Sequence, residues 1–202
     1  MVVGITGGIA TGKSAVTQML HGHGAITFSA DDASRAILIK DGPVFHQLAE
    51  AFGRVAFDAR GDFDRKSLGT LIFTNPSARL TLNRIMHPAI RRLLKDQICS
   101  AQDDLLPPHI IAVEVPLLFE GHMESWFERI VVVSSSQTIQ LQRLMARSRL
   151  SKDEAMARIN AQIPLDVKIA HASHVIVNNA GYEPLATQVD DLWQQLIMGS
   201  RV

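Results

Sequence analysis

A glycine-rich stretch near the amino terminus constrains this chain more than any other feature. Residues 7–14 read Gly-Gly-Ile-Ala-Thr-Gly-Lys-Ser, and the apolar run Val2–Thr6 precedes them. This order fits the pattern G-x-x-x-x-G-K-[ST], in which a buried strand leads into a glycine loop and then into a helix. The backbone N–H groups of such a loop, together with the positive end of the helix dipole, bind phosphate oxygens. The stretch therefore predicts binding of a nucleoside triphosphate.

Two side chains of this stretch have predicted roles of their own. Lys13 would reach the β- and γ-phosphates, and the hydroxyl of Ser14 would hold Mg²⁺. The structural alternative is an ordinary glycine-rich turn, and the correct flanking strand and helix argue against it. We therefore expect Mg²⁺ to be the cofactor of this site.

Composition limits the class of protein. With 202 residues, 47% of them hydrophobic, the chain suits one substantial α/β domain whose strands are covered on both faces. Because 20 basic residues balance 20 acidic ones, no overall field attracts nucleic acid or an anionic membrane. Cys99 is the only cysteine, which excludes an internal disulfide and favours a reducing cytoplasm. We find no signal peptide and no apolar run of membrane-spanning length, and we expect a monomer.

Apolar runs and turn residues predict alternating strands and helices. The predicted strands are Val2–Thr6, Ala25–Phe28, His109–Val115, Arg129–Val133 and His174–Asn178. Helices are expected over most of residues 33–105, at Gln137–Arg149, after a capping box that begins at Ser151, and at Glu183–Met198. This alternation implies a parallel sheet that carries its ligands at the carboxyl ends of the strands. The residues gathered there would be the glycine loop, Asp31, Glu114, Ser134–Ser136 and Asn178.

Motifs of other phosphate-loop classes are missing. A GTPase needs a D-x-x-G switch and an N-K-x-D base reader, and the second motif does not occur. Asp58-Ala59-Arg60-Gly61 matches the first, but it does not end a convincing strand, and we interpret it as a turn. The L-S-G-G-Q signature of transporter ATPases is also absent. A small kinase remains, which needs an acceptor carboxylate and arginines near the γ-phosphate.

Asp31 is the carboxylate in the expected place, directly after the second predicted strand. It could accept the proton of an attacking hydroxyl, or it could hold Mg²⁺ through water. The structural alternative is an N-cap for a helix that starts near Ala33. Asp32 is the weaker candidate for the base and the stronger candidate for the cap.

Arg143 and Arg147 lie four residues apart and would share one face of a helix. Two guanidinium groups on one face suit the oxygens of a triphosphate, whose charge they would neutralise during transfer. The alternative is a solvated face that forms salt bridges, and the glycine loop favours the functional interpretation.

Glu114 and His87 have two interpretations each. Glu114 ends an apolar strand, where a buried carboxylate needs a partner, either near Mg²⁺ or the acceptor or in a structural ion pair. His87 precedes Pro88, which we expect at the first position of a helix. The imidazole would then contact a phosphate or cap the turn.

A series of landmarks follows the order and spacing of one known family. They are Gly7–Ser14, Ser29-Ala30-Asp31 with Arg35, Gly61–Arg65 with Leu68, His87-Pro88-Ala89-Ile90, Pro116–Glu120, Gln140 with Arg143 and Arg147, Gln162, and Val175–Asn178. From its first residues to about residue 190, the chain resembles dephospho-CoA kinase. The Pro-Leu-Leu-Phe-Glu and His-Pro motifs are more specific to this family than the glycine loop.

The resemblance implies a fold and a domain organisation. The fold would be an α/β, P-loop NTPase-like three-layer sandwich with a parallel sheet, a helical substrate-binding insertion and a helical lid. Residues 1–202 would form a single kinase domain. Its core would comprise residues 1–40, 105–136 and 172–202, with the CoA-binding insertion at about 41–104 and the lid at about 137–171.

The resemblance also implies an activity and a set of site residues. The γ-phosphoryl group of ATP would pass to the 3′-hydroxyl of dephospho-CoA, giving CoA and ADP in the last step of CoA synthesis. The catalytic residues would be Asp31 as base, Lys13, Arg143 and Arg147. The ATP-binding residues would be Gly7, Gly8, Ile9, Ala10, Thr11, Gly12, Lys13, Ser14, Ala15 and Asn178. The acceptor would contact Arg65, His87, Pro116 and Leu117, and the metal would contact Ser14 with Glu114 as a further candidate.

Several positions depart from the family's usual pattern. Ser29 replaces an aspartate, Ala10 a glycine, Ala15 a threonine, Glu114 an aspartate and Lys168 an arginine, while Ser173-His174 and Ala180 are also unusual. We expect those near the end of the chain to lie toward the adenine end of the site. Two alternatives therefore stay open, a kinase of another small metabolite such as a nucleoside, and a nucleotide-binding regulatory module without turnover.

Overall fold

The structure is a computed structural model that describes residues 1–58, 60–103 and 109–199, apart from the side chains of residues 65, 66, 73 and 74. Its described part forms two compact units. The first combines residues 1–29 with the described residues from 100 onward, and the second comprises residues 30–99.

A five-stranded sheet forms the centre of the first unit. Its strands are β1 (Val2–Gly7), β2 (Ile26–Ser29), β3 (Ile111–Glu114), β4 (Arg129–Ser134) and β5 (His174–Val177). They lie in the order β2-β3-β1-β4-β5, and every neighbouring pair is parallel. The five predicted strands and the parallel sheet are thus confirmed, with small shifts at the ends.

Helices make up most of the remaining described chain. They are α1 (Lys13–Gly22), α2 (Ala30–Ala36), α3 (Pro43–Phe52), α4 (Arg65–Thr74), α5 (Pro76–Asp103), α6 (Gln137–Ser148), α7 (Lys152–Asn160), α8 (Leu165–Ala170) and α9 (Tyr182–Gly199), with 3₁₀ turns at Gly53–Ala56 and Glu124–Trp126. The predicted capping box is present, since Ser151 and Glu154 exchange hydrogen bonds at the start of α7. None of the described helices combines the length and the apolar character that crossing a membrane requires.

The core of the first unit lies between the sheet and helices α1 and α9. Strand β1 is buried along its whole length, as expected for a central parallel strand. Helix α9 buries one stripe at helical spacing, formed by Leu185, Val189, Leu192 and Leu196. This packing fixes β1 at the middle of the sheet, so the loop that follows it begins from a rigid element.

Aromatic contacts are a main feature of the second unit. The ring of Phe57 lies 4.5 Å from that of Phe45 and 6.0 Å from that of Phe63. Between Phe57 and Phe63 the chain turns at Asp58, whose carboxylate accepts the backbone N–H groups of Arg60 and Asp62. These hydrogen bonds lower the pKa of Asp58. The interpretation of this D-x-x-G stretch as a turn is confirmed, although its Ala59 lies outside the described residues.

Two predictions about helix ends are wrong. Helix α2 begins at Ala30, directly after β2, so Asp31 and Asp32 lie inside its first turn rather than at an N-cap before Ala33. Acidic residues are favourable there because they face the positive end of the helix dipole. Pro88 lies inside the 28-residue helix α5 and not at its first position. A proline interior to a helix loses one backbone hydrogen bond, and the turns on both sides continue the helix despite that loss.

Candidate active site

The glycine loop joins the buried end of β1 to the start of α1, as predicted. Gly7 has a φ of 148°, and a β-carbon there would collide with the carbonyl of Val133. Gly12 has a φ of 94°, and a β-carbon there would collide with the amide of Asn178. Both positions therefore need glycine for backbone conformation and for space.

Helix α1 begins immediately after the loop. Gly12 is its N-cap, and no side chain of the described residues caps this end. The first-turn N–H groups of a helix have no partner within the helix, and together with the helix dipole they suit an anion. The local backbone thus provides the phosphate-binding features that the sequence predicts.

Ala10 is the one residue between Gly7 and Lys13 that adopts left-handed backbone without being glycine, with a φ of 59°. A side chain in this conformation places its β-carbon close to the following carbonyl, at a cost of about 1–2 kcal/mol. The departure noted at this position in the sequence therefore introduces strain into the loop.

Lys13 lies against the backbone of the loop. Its side chain is largely buried, and Nζ donates a hydrogen bond to the carbonyl of Gly8 across 2.9 Å. The hydroxyl of Thr11 donates to the same carbonyl, also across 2.9 Å. The ammonium is thereby held at the glycine loop, where a phosphate-binding lysine is required.

Ser14 and Glu114 form the part of the site that could hold a metal ion. The Ser14 hydroxyl donates to Oε1 of Glu114 across 3.0 Å, and the Glu114 side chain is buried. Hydroxyl and carboxylate oxygens are suitable ligands for Mg²⁺, which usually takes one or two carboxylates and fills its shell with phosphates and water. Across the described residues, no cluster of three or more His, Cys, Asp or Glu could hold a metal ion alone. The pair therefore fits Mg²⁺ that binds together with a phosphate.

Asn178 connects the end of β5 to the glycine loop. Its Nδ2 donates to the carbonyl of Thr11 across 2.8 Å, and its own carbonyl accepts the hydroxyl of Ser135 across 2.8 Å. The guanidinium of Arg143 donates to Ser135 Oγ and to Asn178 Oδ1, both across 3.3 Å. The structure thus brings Arg143 of α6 to the strand ends beside the loop.

Arg147 lies one turn further along α6. Its side chain is exposed and makes no hydrogen bond or ion pair with the part of the chain that the structure describes. Its guanidinium remains open to a ligand or to solvent.

Two glutamines belong to the site, although no role was predicted for them. Gln162 Oε1 accepts the N–H of Ile9 in the glycine loop across 2.9 Å. Gln140 Nε2 donates to the carbonyl of Ser135 across 3.0 Å, and its Oε1 lies where a β-carbon on Gly8 would collide with it. Both glutamines appear among the landmarks of the family resemblance, which was the only signal that could have found them.

The Pro116–Glu120 segment follows β3. The carbonyl of Pro116 accepts the hydroxyl of Thr6 across 3.4 Å, and Leu117 is exposed. The next two residues, Leu118 and Phe119, are buried. Only part of this motif is therefore free to contact a ligand.

Other predicted site residues belong to the second unit. Asp31 lies in the first turn of α2, and its neighbour Asp32 forms an exposed ion pair with Arg35 at 3.0 Å. His87 lies within α5, where burial and, to a smaller extent, the charge of Arg91 lower its pKa. Arg65 begins α4, and its side chain lies outside the described residues.

Some departures from the family pattern have structural roles. Lys168 is fully buried, and its ammonium lies 2.7 Å from Glu120. Ser173 Oγ accepts the N–H of Ile130 on β4, and His174 Nε2 contacts Gln195 on α9. These side chains take part in the packing of the fold and do not line the glycine loop.

The fold and the site together define a class. A parallel sheet in the order β2-β3-β1-β4-β5, a glycine loop between β1 and α1, and a Ser14–Glu114 pair beside it are the features of a P-loop NTPase. Because the sequence lacks the N-K-x-D motif of GTPases and the L-S-G-G-Q motif of transporter ATPases, the class is that of a small P-loop kinase. The predicted α/β, P-loop NTPase-like sandwich is thus confirmed.

Comparison with known proteins identifies the family. The family model described as "Dephospho-CoA kinase" matches residues 1–183. The dephospho-CoA kinase of Syntrophotalea carbinolica is 38% identical over 201 residues, which cover 100% of this chain and 94% of that protein. The chain therefore belongs to the dephospho-CoA kinase family, and the resemblance seen in the sequence is confirmed.

Solved structures agree with this assignment. The Thermus thermophilus protein TT1252 superposes with a TM-score of 0.80 at 29% identity, covering 97% of each chain. A dephospho-CoA kinase from Campylobacter jejuni superposes with a TM-score of 0.73 at 26% identity, covering 98% of each chain. The similarity thus extends over nearly the whole length of each protein.

Proposed function

We propose that this protein transfers the γ-phosphoryl group of ATP to the 3′-hydroxyl of dephospho-CoA and releases CoA and ADP. The observation that carries the proposal is the Ser14–Glu114 pair beside Lys13 in a chain of this family. Phosphoryl transfer depends mainly on alignment and on neutralisation of charge. Lys13 would neutralise phosphate charge directly, and Ser14 with Glu114 would hold the Mg²⁺ that does so.

ATP binding is assigned to the glycine loop and the residues that hold it. Backbone N–H groups of residues 7–15 would surround the phosphates. Because its ammonium has three donors, Lys13 would reach the β- and γ-phosphate oxygens while keeping its contact with the Gly8 carbonyl. Asn178 keeps the loop in shape through the Thr11 carbonyl. Arg143 and Arg147 would neutralise the charge on the transferred group.

We propose Mg²⁺ as the cofactor, held by the Ser14 hydroxyl with Glu114 as a direct or water-mediated ligand. Bound there with ATP, the ion would neutralise charge on the phosphate oxygens. The Ser14 oxygen has two lone pairs, so it could bind the ion while its proton stays directed at Glu114.

The proposed acceptor residues are a base and four substrate contacts. Asp31, two residues after the end of β2 along the chain, would accept the proton of the attacking 3′-hydroxyl. Arg65, His87, Pro116 and Leu117 are the proposed contacts of dephospho-CoA. We assign substrate binding to the helical insertion at about residues 41–104 and closure over ATP to a lid at about 137–171.

We further propose that the protein works as a cytoplasmic monomer with ATP and dephospho-CoA as its partners and without a nucleic-acid or membrane partner. The balanced charge argues against a nucleic-acid or membrane partner, and the single cysteine suits the cytoplasm.

An assay of the purified protein tests the function. ATP, Mg²⁺ and dephospho-CoA should give CoA, and a panel of nucleosides should give no phosphorylated product. Lys13→Met should abolish turnover while the circular dichroism spectrum stays unchanged. Absence of CoA formation above background would reject the proposal, and phosphorylation of a nucleoside would replace it. ATP binding without turnover on any acceptor would instead identify a regulatory module.

A further inference from the structure

The starting point is one peptide bond of the glycine loop, the bond between Gly8 and Ile9. Lys13 Nζ donates to its carbonyl across 2.9 Å, and Gln162 Oε1 accepts its N–H across 2.9 Å. In a trans peptide the C=O and the N–H point in opposite directions. Lys13 and Gln162 therefore hold the same peptide plane from its two sides.

The two hydrogen bonds are coupled through this peptide. A hydrogen bond accepted from the N–H polarises the peptide and makes its carbonyl a better acceptor. The Gln162 contact also stops the plane from rotating, because rotation would break it. The Thr11 hydroxyl holds the carbonyl side of this peptide across 2.9 Å, and Gln162 holds its N–H side, so the direction of the carbonyl that receives the Lys13 ammonium depends on both.

The segment that carries Gln162 is itself held in place. Glu120 Oε1 accepts the N–H of Ile163, the next residue, across 3.1 Å. The same oxygen lies 2.7 Å from the ammonium of Lys168, whose side chain is fully buried. The contact between Lys168 and Glu120 is an ion pair, and its angles are not those of a hydrogen bond. A buried ammonium is costly without a counter-charge, so Glu120 and Lys168 stay together.

We propose that Gln162 is a positioning residue that orients the Gly8–Ile9 peptide and, through it, Lys13, and that Glu120 with Lys168 holds Gln162 in place for this purpose. The inference rests on the proposed function, because it takes Lys13 as the lysine that contacts ATP. It adds a connection from the end of the Pro116–Glu120 motif, through the segment between α7 and α8, to the phosphate-binding lysine.

A double-mutant cycle tests whether Gln162 acts through Lys13. Calorimetry would measure the Kd for MgATP of the wild type, Gln162→Leu, Lys13→Met and the double variant. We expect Gln162→Leu to weaken binding about tenfold in the wild type and by less than about twofold in the Lys13→Met background, as for two residues that act as a unit. Equal weakening in both backgrounds would overturn the proposal, as would unchanged binding by Gln162→Leu.

A conservative variant separates positioning from folding. Gln162→Glu keeps an oxygen that can accept the Ile9 N–H, so its kcat should return to within about threefold of the wild type, while Gln162→Leu should lose about tenfold or more. Gln194→Leu, an exposed glutamine on α9, is the matched control and should resemble the wild type in kcat and in melting temperature. If Gln162→Glu is as impaired as Gln162→Leu, an acceptor for Ile9 is not what the site needs.

Failure of this inference can be told apart from failure of the proposed function. If the wild-type protein binds ATP but makes no CoA, the proposed function is rejected, while the double-mutant cycle of Kd values can still be interpreted. If the wild-type protein makes CoA and the Gln162 variants bind ATP with normal affinity, the proposed function is supported and the inference about Gln162 is rejected.

Discussion

The hydroxyl of Ser14 donates a hydrogen bond to Oε1 of Glu114 across 3.0 Å, although 100 residues separate them in the chain. Strands β1 and β3 pair in parallel, and Ile5 lies opposite Glu114. The carboxylate therefore lies at the carboxyl ends of the strands, where the glycine loop leaves β1. Sheet topology therefore places the two oxygen ligands of the proposed metal site side by side.

Glu114→Gln should raise the Mg²⁺ concentration needed for half-maximal turnover about tenfold, which is the usual effect of weakening a ligand shell. The amide can still accept the Ser14 hydroxyl but has no charge to offer the ion. Steady-state assays at fixed ATP and varied Mg²⁺ measure this. Glu124→Gln, an exposed position, is the control, and equal Mg²⁺ dependence in both variants would remove Glu114 from the metal site.

Asp31→Asn should lower kcat by about 10²–10⁴, the usual contribution of a general base. Asp32→Asn is a matched control because Asp32 occupies the same helical turn, and its exposed ion pair with Arg35 is worth about 1 kcal/mol or less. Turnover assays at saturating ATP and dephospho-CoA compare the two. A loss of less than about tenfold in Asp31→Asn would place the base elsewhere.

Ala10→Gly should raise the free energy of unfolding by about 1 kcal/mol, because glycine adopts left-handed backbone without the strain that alanine has at a φ of 59°. Ala15→Gly should have the opposite effect and lower the free energy of unfolding by about 1 kcal/mol, since Ala15 lies within helix α1 and glycine is a poorer helix former than alanine. Urea denaturation of both variants measures the difference. Destabilisation by Ala10→Gly would show that the loop carries no strain at this residue.

His87 should make stability depend on pH in the acidic range. Burial lowers its pKa below the ordinary value of 6.5, so below that pH the unfolded chain binds more protons than the folded chain. The contribution of His87 to stability therefore falls as pH decreases from 6.5 toward its folded-state pKa and is constant at higher pH. Relative to the wild type, His87→Gln should become progressively more stable across this acidic range.

The measurement is urea denaturation of the wild type and His87→Gln at a series of pH values from neutral to mildly acidic. The difference between the two cancels the titration of the other histidines. Parallel stability curves would contradict the lowered pKa of His87.

The sequence predicted the parts of the site that depend on local pattern. Alternating apolar runs located the five strands, and the glycine loop located Lys13 and Ser14 at the start of α1. Pro88 was predicted at the start of a helix but lies inside α5. A single proline does not show whether the turns before it are helical, and here they are. The sequence also predicted that the helix after β2 starts near Ala33, whereas α2 begins at Ala30 and follows β2 without an intervening loop.

The chemistry of the phosphate-binding loop follows from the sequence alone, because its glycines, lysine and serine are neighbours in the chain. The identity of the distant side chains that hold the loop depends on how the chain folds. Asn178 meets Thr11 and Gln162 meets Ile9 through contacts that span more than 150 residues. Such contacts form only when the sheet has assembled, because each joins elements that are far apart in the chain. No local periodicity of the sequence specifies them.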